Sequence, residues 1–189
     1  IFRMIYSSSA ANYGTNEQYP SNLYGWSKYA GEGYVVARLG VALRYFNVYG
    51  PGEEDKGRMA SVAYQMYKRN QNGDDIKLFP KKPLRDFVYV KDVCRAMVKI
   101  WQDGKESQSG IYNMGTGIAR SFKDLVLATF SAMEIEPQIN YFDMPEGIRD
   151  QYQYFTQANM NKFRREFSDF EFLALEDAVE DYVKNHLLV

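Results

Sequence analysis

Two short apolar runs separated by one long segment of helical period constrain this chain more than any other feature. Phe2 to Ser7 is apolar-rich and ends in Ser-Ser-Ser, and Val41 to Phe46 (Val-Ala-Leu-Arg-Tyr-Phe) reads as a second buried strand. Tyr24 to Arg38 between them is helical in pattern. Strand, helix and strand make a βαβ unit, which calls for a parallel sheet covered by helices. The alternation resumes downstream. Helices are expected at Met59–Arg69, Val93–Trp101 and Phe122–Met133, with two more around Gln157–Glu166 and Leu175–Asn185. Strands are expected at Ile76–Phe79, Asp86–Val90, Gly110–Met114 and near Ile139–Phe142. There is no internal repeat and no low-complexity segment. Ligands of open α/β sheets bind at the carboxyl ends of the strands, so the hydroxyls closing the first run lie where a site is expected.

Composition narrows the class of partner. The 189 residues, 46% hydrophobic, suffice for a real core. With 23 basic and 24 acidic residues and no block of either sign, nothing favours nucleic acid or an anionic membrane surface. No apolar run is long enough to span a bilayer, and Ile-Phe-Arg-Met-Ile-Tyr at the start is too short and mixed for a signal-peptide core. The expectation is a soluble, cytoplasmic protein with a small-molecule partner. The lone Cys94 falls within a helical pattern and is expected to be a packed thiol. The lone His186, without partner ligands, makes a metal site unexpected.

Tyr24-Gly-Trp-Ser-Lys28 is the strongest local chemical signal. Four residues put tyrosine and lysine about one turn apart on one helix face. An ammonium beside a phenol favours the phenolate, which suits a general acid/base, and the same lysine can hold a ribose hydroxyl. In a chain with 16 tyrosines the same spacing also arises as a plain surface pair. Three further segments weigh against that reading. They are Ser7-Ser8-Ser9-Ala10-Ala11-Asn12-Tyr13-Gly14, Leu43-Arg44-Tyr45-Phe46-Asn47-Val48-Tyr49-Gly50-Pro51, and Arg85-Asp86-Phe87-Val88-Tyr89-Val90-Lys91-Asp92-Val93.

In this order the segments resemble the extended short-chain dehydrogenase/reductases (NAD-dependent epimerase/dehydratases) that act on nucleotide sugars, over nearly the whole chain. Lys56-Gly57-Arg58-Met59-Ala60-Ser61-Val62-Ala63 and Gln153-Tyr154-Phe155-Thr156-Gln157-Ala158 further resemble the ADP-L-glycero-D-manno-heptose 6-epimerases within that family. The resemblance implies the C-terminal part of a Rossmann-type doubly wound parallel sheet plus a smaller α/β substrate-binding domain. Residues 1–51 would belong to the cofactor domain, whose N-terminal half, with its Gly-rich phosphate turn, is expected to be absent. Residues 52–189 would be mainly substrate-binding, with 86–120 returning to the Rossmann domain.

The chemistry it implies is interconversion of the two ADP-heptose epimers at C6 by transient oxidation with bound NADP, or NAD, in heptose supply for the lipopolysaccharide core. By residue-to-residue matching, Tyr24 and Lys56 would be the acid/base pair for the two faces, Ser9 would polarise the substrate oxygen, and Lys28 and Val48 would contact the cofactor. Asn47, Arg58, Gln65, Phe79, Lys81, Arg85 and Tyr152 would line the ADP-heptose site, with Arg85 on the diphosphate. A homo-oligomer, such as a pentamer, is implied as well. Read from the residues alone, Lys56 is also compatible with a solvated charge run at 53–56, and Phe79 and Tyr152 with core aromatics. A UDP-sugar 4-epimerase keeps the serines and Tyr24/Lys28 but not the Lys56 motif, whereas a 4,6-dehydratase would carry Asp-Glu where Ala10-Ala11 stands. A non-catalytic nicotinamide-binding regulatory protein would need none of the acid/base set.

Two spacings depart from the family. Ser9 and Tyr24 are only fifteen positions apart and Lys28 and Arg44 only sixteen, so Ala37–Gly40 must connect helix to strand almost without slack. Spacings this short imply that loops are left out at these two joins; were the deletions real, the Tyr24 helix would not reach its place beside Ser9.

Overall fold

The computed structural model describes residues 4–14, 19–79, 83–103, 105, 108–142 and 153–189. In chain order its strands and helices are β1 (Ile5–Ser9), α1 (Leu23–Val36), β2 (Val41–Tyr45), β3 (Asn47–Tyr49), α2 (Val62–Asn72), β4 (Ile76–Leu78), β5 (Leu84–Tyr89), α3 (Val90–Asp103), β6 (Gly110–Met114), β7 (Ala119–Ser121), α4 (Phe122–Ala132), β8 (Ile139–Tyr141), α5 (Asn161–Glu166) and α6 (Leu175–Tyr182). Short 3-10 segments follow β1 (Ala10–Tyr13) and precede α2 (Glu54–Met59).

The expected βαβ unit is present. β1 pairs in parallel with β2, from Ile5↔Val41 to Ser9↔Tyr45, and β2 pairs in parallel with β6, from Val41↔Gly110 to Tyr45↔Met114. The short connection after α1 closes through a compact turn. Gly40 N donates to Val35 O and Leu39 N to Val36 O, both at 3.0 Å, with Leu39 left-handed at φ +57°. This is the Schellman arrangement, which satisfies the last helix carbonyls while reversing the chain in four residues. At the other end, Asn22 Oδ1 accepts from Gly25 N at 2.8 Å and caps the first turn.

β5 lies between β3 (parallel) and β7 (antiparallel), and β4 pairs with β8. α3 and α5 cover the β2–β6 strands through Val93, Ala96, Ile100, Phe163 and Phe167, packed on Leu43, Tyr112 and Met114. α4 and α6 cover β3 and β5 through Leu125, Ala178, Val179 and Tyr182. Asp86, fully buried in β5, accepts from Thr116 N and Oγ1, Gly117 N and Ala158 N at 2.7–3.0 Å. That one carboxylate joins the sheet centre, the β6–β7 loop and the approach to α5.

Several boundaries move from the sequence reading. The first strand runs through the serines to Ser9, the helix expected from Met59 starts at Val62 after its Ser61 cap, and the one expected from Gln157 starts at Asn161. Residues 157–160 stay outside the helix, with Ala158 N engaged by Asp86 and Gln157 Nε2 by Gly117 O. β3 and β7, three residues each, were not anticipated. Cys94 is exposed rather than packed, because α3 buries Val93 and Ala96 instead.

Candidate active site

Ser9 closes β1 at the carboxyl edge of the sheet, and its Oγ accepts from Ala11 N at 3.1 Å, capping the 3-10 turn. α1 lies directly against this edge. A Cβ on Gly25 would stand 2.8 Å from Ala11 O and 2.9 Å from Pro20 Cβ, so only glycine at this position lets the helix start approach the turn so closely. Tyr24 and Lys28 follow on one face of α1. Lys28 Nζ donates to Ser7 O at 3.0 Å and stands 5.9 Å from the Tyr24 ring centre and 5.5 Å from that of Tyr6. Tyr24 is 57% exposed. Gly25 against Ala11 and Lys28 on Ser7 O thus set the start of α1, which bears Tyr24, against the sheet edge that Ser9 closes.

Behind them lies a network that sequence reasoning missed. Glu32, two turns along α1 from Tyr24 and 2% exposed, takes a bidentate contact from Arg44 (Nε 2.8 Å, Nη2 2.7 Å). Its Oε1 also accepts from Ser8 Oγ at 2.5 Å and Asn12 Nδ2 at 2.8 Å. The Glu32 carboxylate holds the Arg44 guanidinium above its ordinary value, outweighing burial. Arg44 also lies 4.6 Å over the Tyr13 ring, whose hydroxyl donates to Asn113 Oδ1 at 2.6 Å on β6. The available signal was a charge inside the apolar run Val41–Phe46, since a buried guanidinium needs a partner.

The remaining residues expected at the site lie on the next elements. Asn47 is exposed and Val48 half-buried at the start of β3, directly after β2. Lys56 and Arg58 are exposed on the Glu54–Met59 segment, and no hydrogen bond or ion pair among the described residues joins the Lys56 side chain to Tyr24 or Ser9. This segment is pinned by Glu53, read from the sequence as part of a solvated charge run but only 2% exposed. Its carboxylate accepts from Gly50 N at 3.1 Å and Ser61 N at 2.8 Å. Gln65 on α2 donates to Ala60 O at 2.7 Å, bracing the same segment. Phe79 packs on Phe142 with ring centres 4.7 Å apart, and Arg85 is buried in β5 over Phe122. Lys81 and Tyr152 lie outside the described residues. A cleft of about 550 Å³ opens at the carboxyl edge of β1, β2 and β6, bordered by Ala10, Tyr13, Phe46, Asn113, Gln153 and Lys162 among others.

The model of the NAD dependent epimerase/dehydratase family matches residues 1–115. The chain belongs to this family. Among curated epimerase/dehydratases it is 38% identical to an ADP-L-glycero-D-manno-heptose-6-epimerase of Fusobacterium nucleatum over 98% of the chain and 65% of that protein. It is 40% identical to one of Nitratidesulfovibrio vulgaris over 98% of the chain and 64% of that protein. The crystal structure of the Helicobacter pylori ADP-L-glycero-D-manno-heptose-6-epimerase superposes with a TM-score of 0.81 at 32% identity, covering 97% of the chain and 59% of that structure. The chain therefore spans about two thirds of the length of these relatives. The alignment with the Fusobacterium protein extends over 218 positions against the 189 residues here, so that relative carries extra residues inside the matched region. This agrees with the short Ser9–Tyr24 and Lys28–Arg44 spacings.

A nicotinamide cofactor is implied by the family. The residues fit one: Lys28 has three N–H donors, of which Ser7 O takes one, leaving donors for a ribose diol at the carboxyl edge of β1. Among the described residues no helix is long and apolar enough to cross a membrane.

Proposed function

We propose that the full-length protein interconverts ADP-D-glycero-D-manno-heptose and ADP-L-glycero-D-manno-heptose at C6, using NADP, with NAD the alternative. What carries this reading is the convergence of Ser9, Tyr24 and Lys28 at one sheet edge in a chain 38–40% identical, over nearly all its length, to enzymes of that name. The nicotinamide, when bound, supplies a hydride acceptor that becomes the donor of the return step. Tyr24 Oη would take the proton of the C6 hydroxyl as that carbon loses hydride, with Ser9 Oγ donating to the same oxygen. The C6 ketone would then turn about the C5–C6 bond, and Lys56 Nζ would protonate the oxygen as hydride returns to the opposite face. Proton exchange of both groups with solvent restores the starting state. Lys28 would hold the cofactor ribose and orient Tyr24, Val48 would border the nicotinamide, and Asn47, Arg58, Gln65, Phe79, Lys81, Arg85 and Tyr152 would line the sugar-nucleotide site.

In this reading residues 1–51 and 86–120 serve the cofactor domain and most of the remainder binds substrate. The enzyme works in the cytoplasm as a homo-oligomer and feeds lipopolysaccharide core synthesis. The test is conversion of ADP-D-glycero-D-manno-heptose by the full-length protein, followed at C6 by NMR. Tyr24→Phe and Lys56→Met are each expected to slow turnover by about 100-fold or more, the scale of one lost acid/base group. A wild type that binds NADP but leaves this heptose unchanged would move the assignment to another nucleotide sugar.

A further inference from the structure

We propose that Glu32 and Arg44 are positioning residues for the acid/base helix, setting where Tyr24 and Lys28 stand relative to Ser9; the inference rests on the roles proposed above for those three. Tyr24, Lys28 and Glu32 follow one another at four-residue steps, so the side of α1 that bears the chemistry continues into the buried carboxylate. Ser8 and Arg44, which both bind that carboxylate, face each other across β1 and β2 in the sheet register, one rung before Ser9↔Tyr45. Asn12 Nδ2, the fourth donor, comes from the turn that Ser9 caps and also donates to Ser8 Oγ at 3.0 Å. Four directed bonds therefore tie one point of the helix to the two strands and the turn that carry the reactive edge.

Stability alone does not explain this arrangement. A buried ion pair stabilises little more than apolar packing of the same volume, because both charges lose their water. α3 and α4 are held to their sheets by apolar side chains, and the buried carboxylate of α3, Asp92, binds Arg95 and Leu173 N and no strand, whereas the buried carboxylate of α1 binds β1 and β2 directly. Apolar contacts tolerate sliding along the helix axis. Hydrogen bonds of 2.5–2.8 Å to a planar, bidentate pair do not. Catalysis is sensitive to such sliding, since misplacing a reacting group by about 1 Å can cost on the order of 100-fold in rate.

The experiment uses the full-length protein with NADP bound and compares Glu32→Gln with Asp92→Asn. Asp92 is an equally buried carboxylate that joins α3 to Leu173 N and Arg95, away from α1. Glu32→Gln is expected to lower kcat at least tenfold with the heptose KM changed less than threefold, and to weaken NADPH binding, read by its fluorescence, at least threefold. Asp92→Asn should lower the melting temperature comparably while leaving kcat and NADPH affinity within twofold of wild type. If Glu32→Gln does not fold, Arg44→Lys keeps the charge, loses the bidentate geometry and should show the same kcat loss. A Glu32→Gln or Arg44→Lys protein that loses only thermal stability, with kcat and NADPH affinity intact, overturns the proposal. If the wild type does not turn over this heptose, the functional assignment fails and the pair is judged on NADPH affinity alone.

Discussion

Asp86→Asn is the substitution whose cost can be worked most directly from the structure. The Asp86 carboxylate, with no solvent exposure, receives Thr116 N and Oγ1 on Oδ1, and Gly117 N and Ala158 N on Oδ2. An amide can accept on only one of these sides. Its least costly orientation keeps oxygen toward Gly117 and Ala158 and turns Nδ2 toward Thr116, whose hydroxyl can rotate to accept. Thr116 N is then left facing a donor, and the two surviving bonds lose their charge assistance. One orphaned buried amide costs about 1–3 kcal/mol and the weakened bonds add to it, so about 3 kcal/mol is expected. For a cooperative unit of this size that corresponds to a melting temperature lower by about 6–12 °C. Thermal unfolding followed by circular dichroism, with urea titration to verify an unchanged m value, measures it. A shift of less than 2 °C would refute the argument that this carboxylate joins β5, the β6–β7 loop and the approach to α5.

Two glycines of α1 should respond oppositely to alanine. Gly25→Ala forces a Cβ onto Ala11 O and Pro20, and should reduce turnover at least tenfold, whereas Gly33→Ala enters open space and should stabilise by about 0.5–1 kcal/mol through helix propensity. Equal effects of the two on activity would mean that the approach of α1 to the Ser9 turn does not matter. Alkaline pH should destabilise the fold through its buried tyrosines. Burial pushes Tyr112 up to about 12 and also raises Tyr45, Tyr49, Tyr89 and Tyr182, so the unfolded chain releases these protons first. The stability that Tyr112 contributes is whole below pH 10 and is lost as pH rises through about 12. Tyr112→Phe should flatten the alkaline limb of a stability–pH curve measured in urea, and an unchanged limb would contradict the assignment.

Periodicity made the chain's plan legible. A helix repeats every 3.6 residues and a strand every two, so Tyr24 and Lys28 had to share a face of α1 and the serines had to close β1, whatever surrounded them. Gly110–Met114 and the helix expected at Phe122–Met133 were likewise visible locally, because strand alternation and helical period need only near neighbours. Tertiary structure decided where buried charges find their partners. Glu32 meets Arg44, and Asp86 meets Thr116 and Ala158, because of which strands became neighbours; local pattern carries no record of that. β3 and β7 exist for the same reason: three residues have too little period to declare a strand until β5 lies between them. The turn from α1 into β2 was likewise set by the packing of α1 on β1 and β2, with Leu39 in a backbone conformation that a leucine seldom adopts on its own.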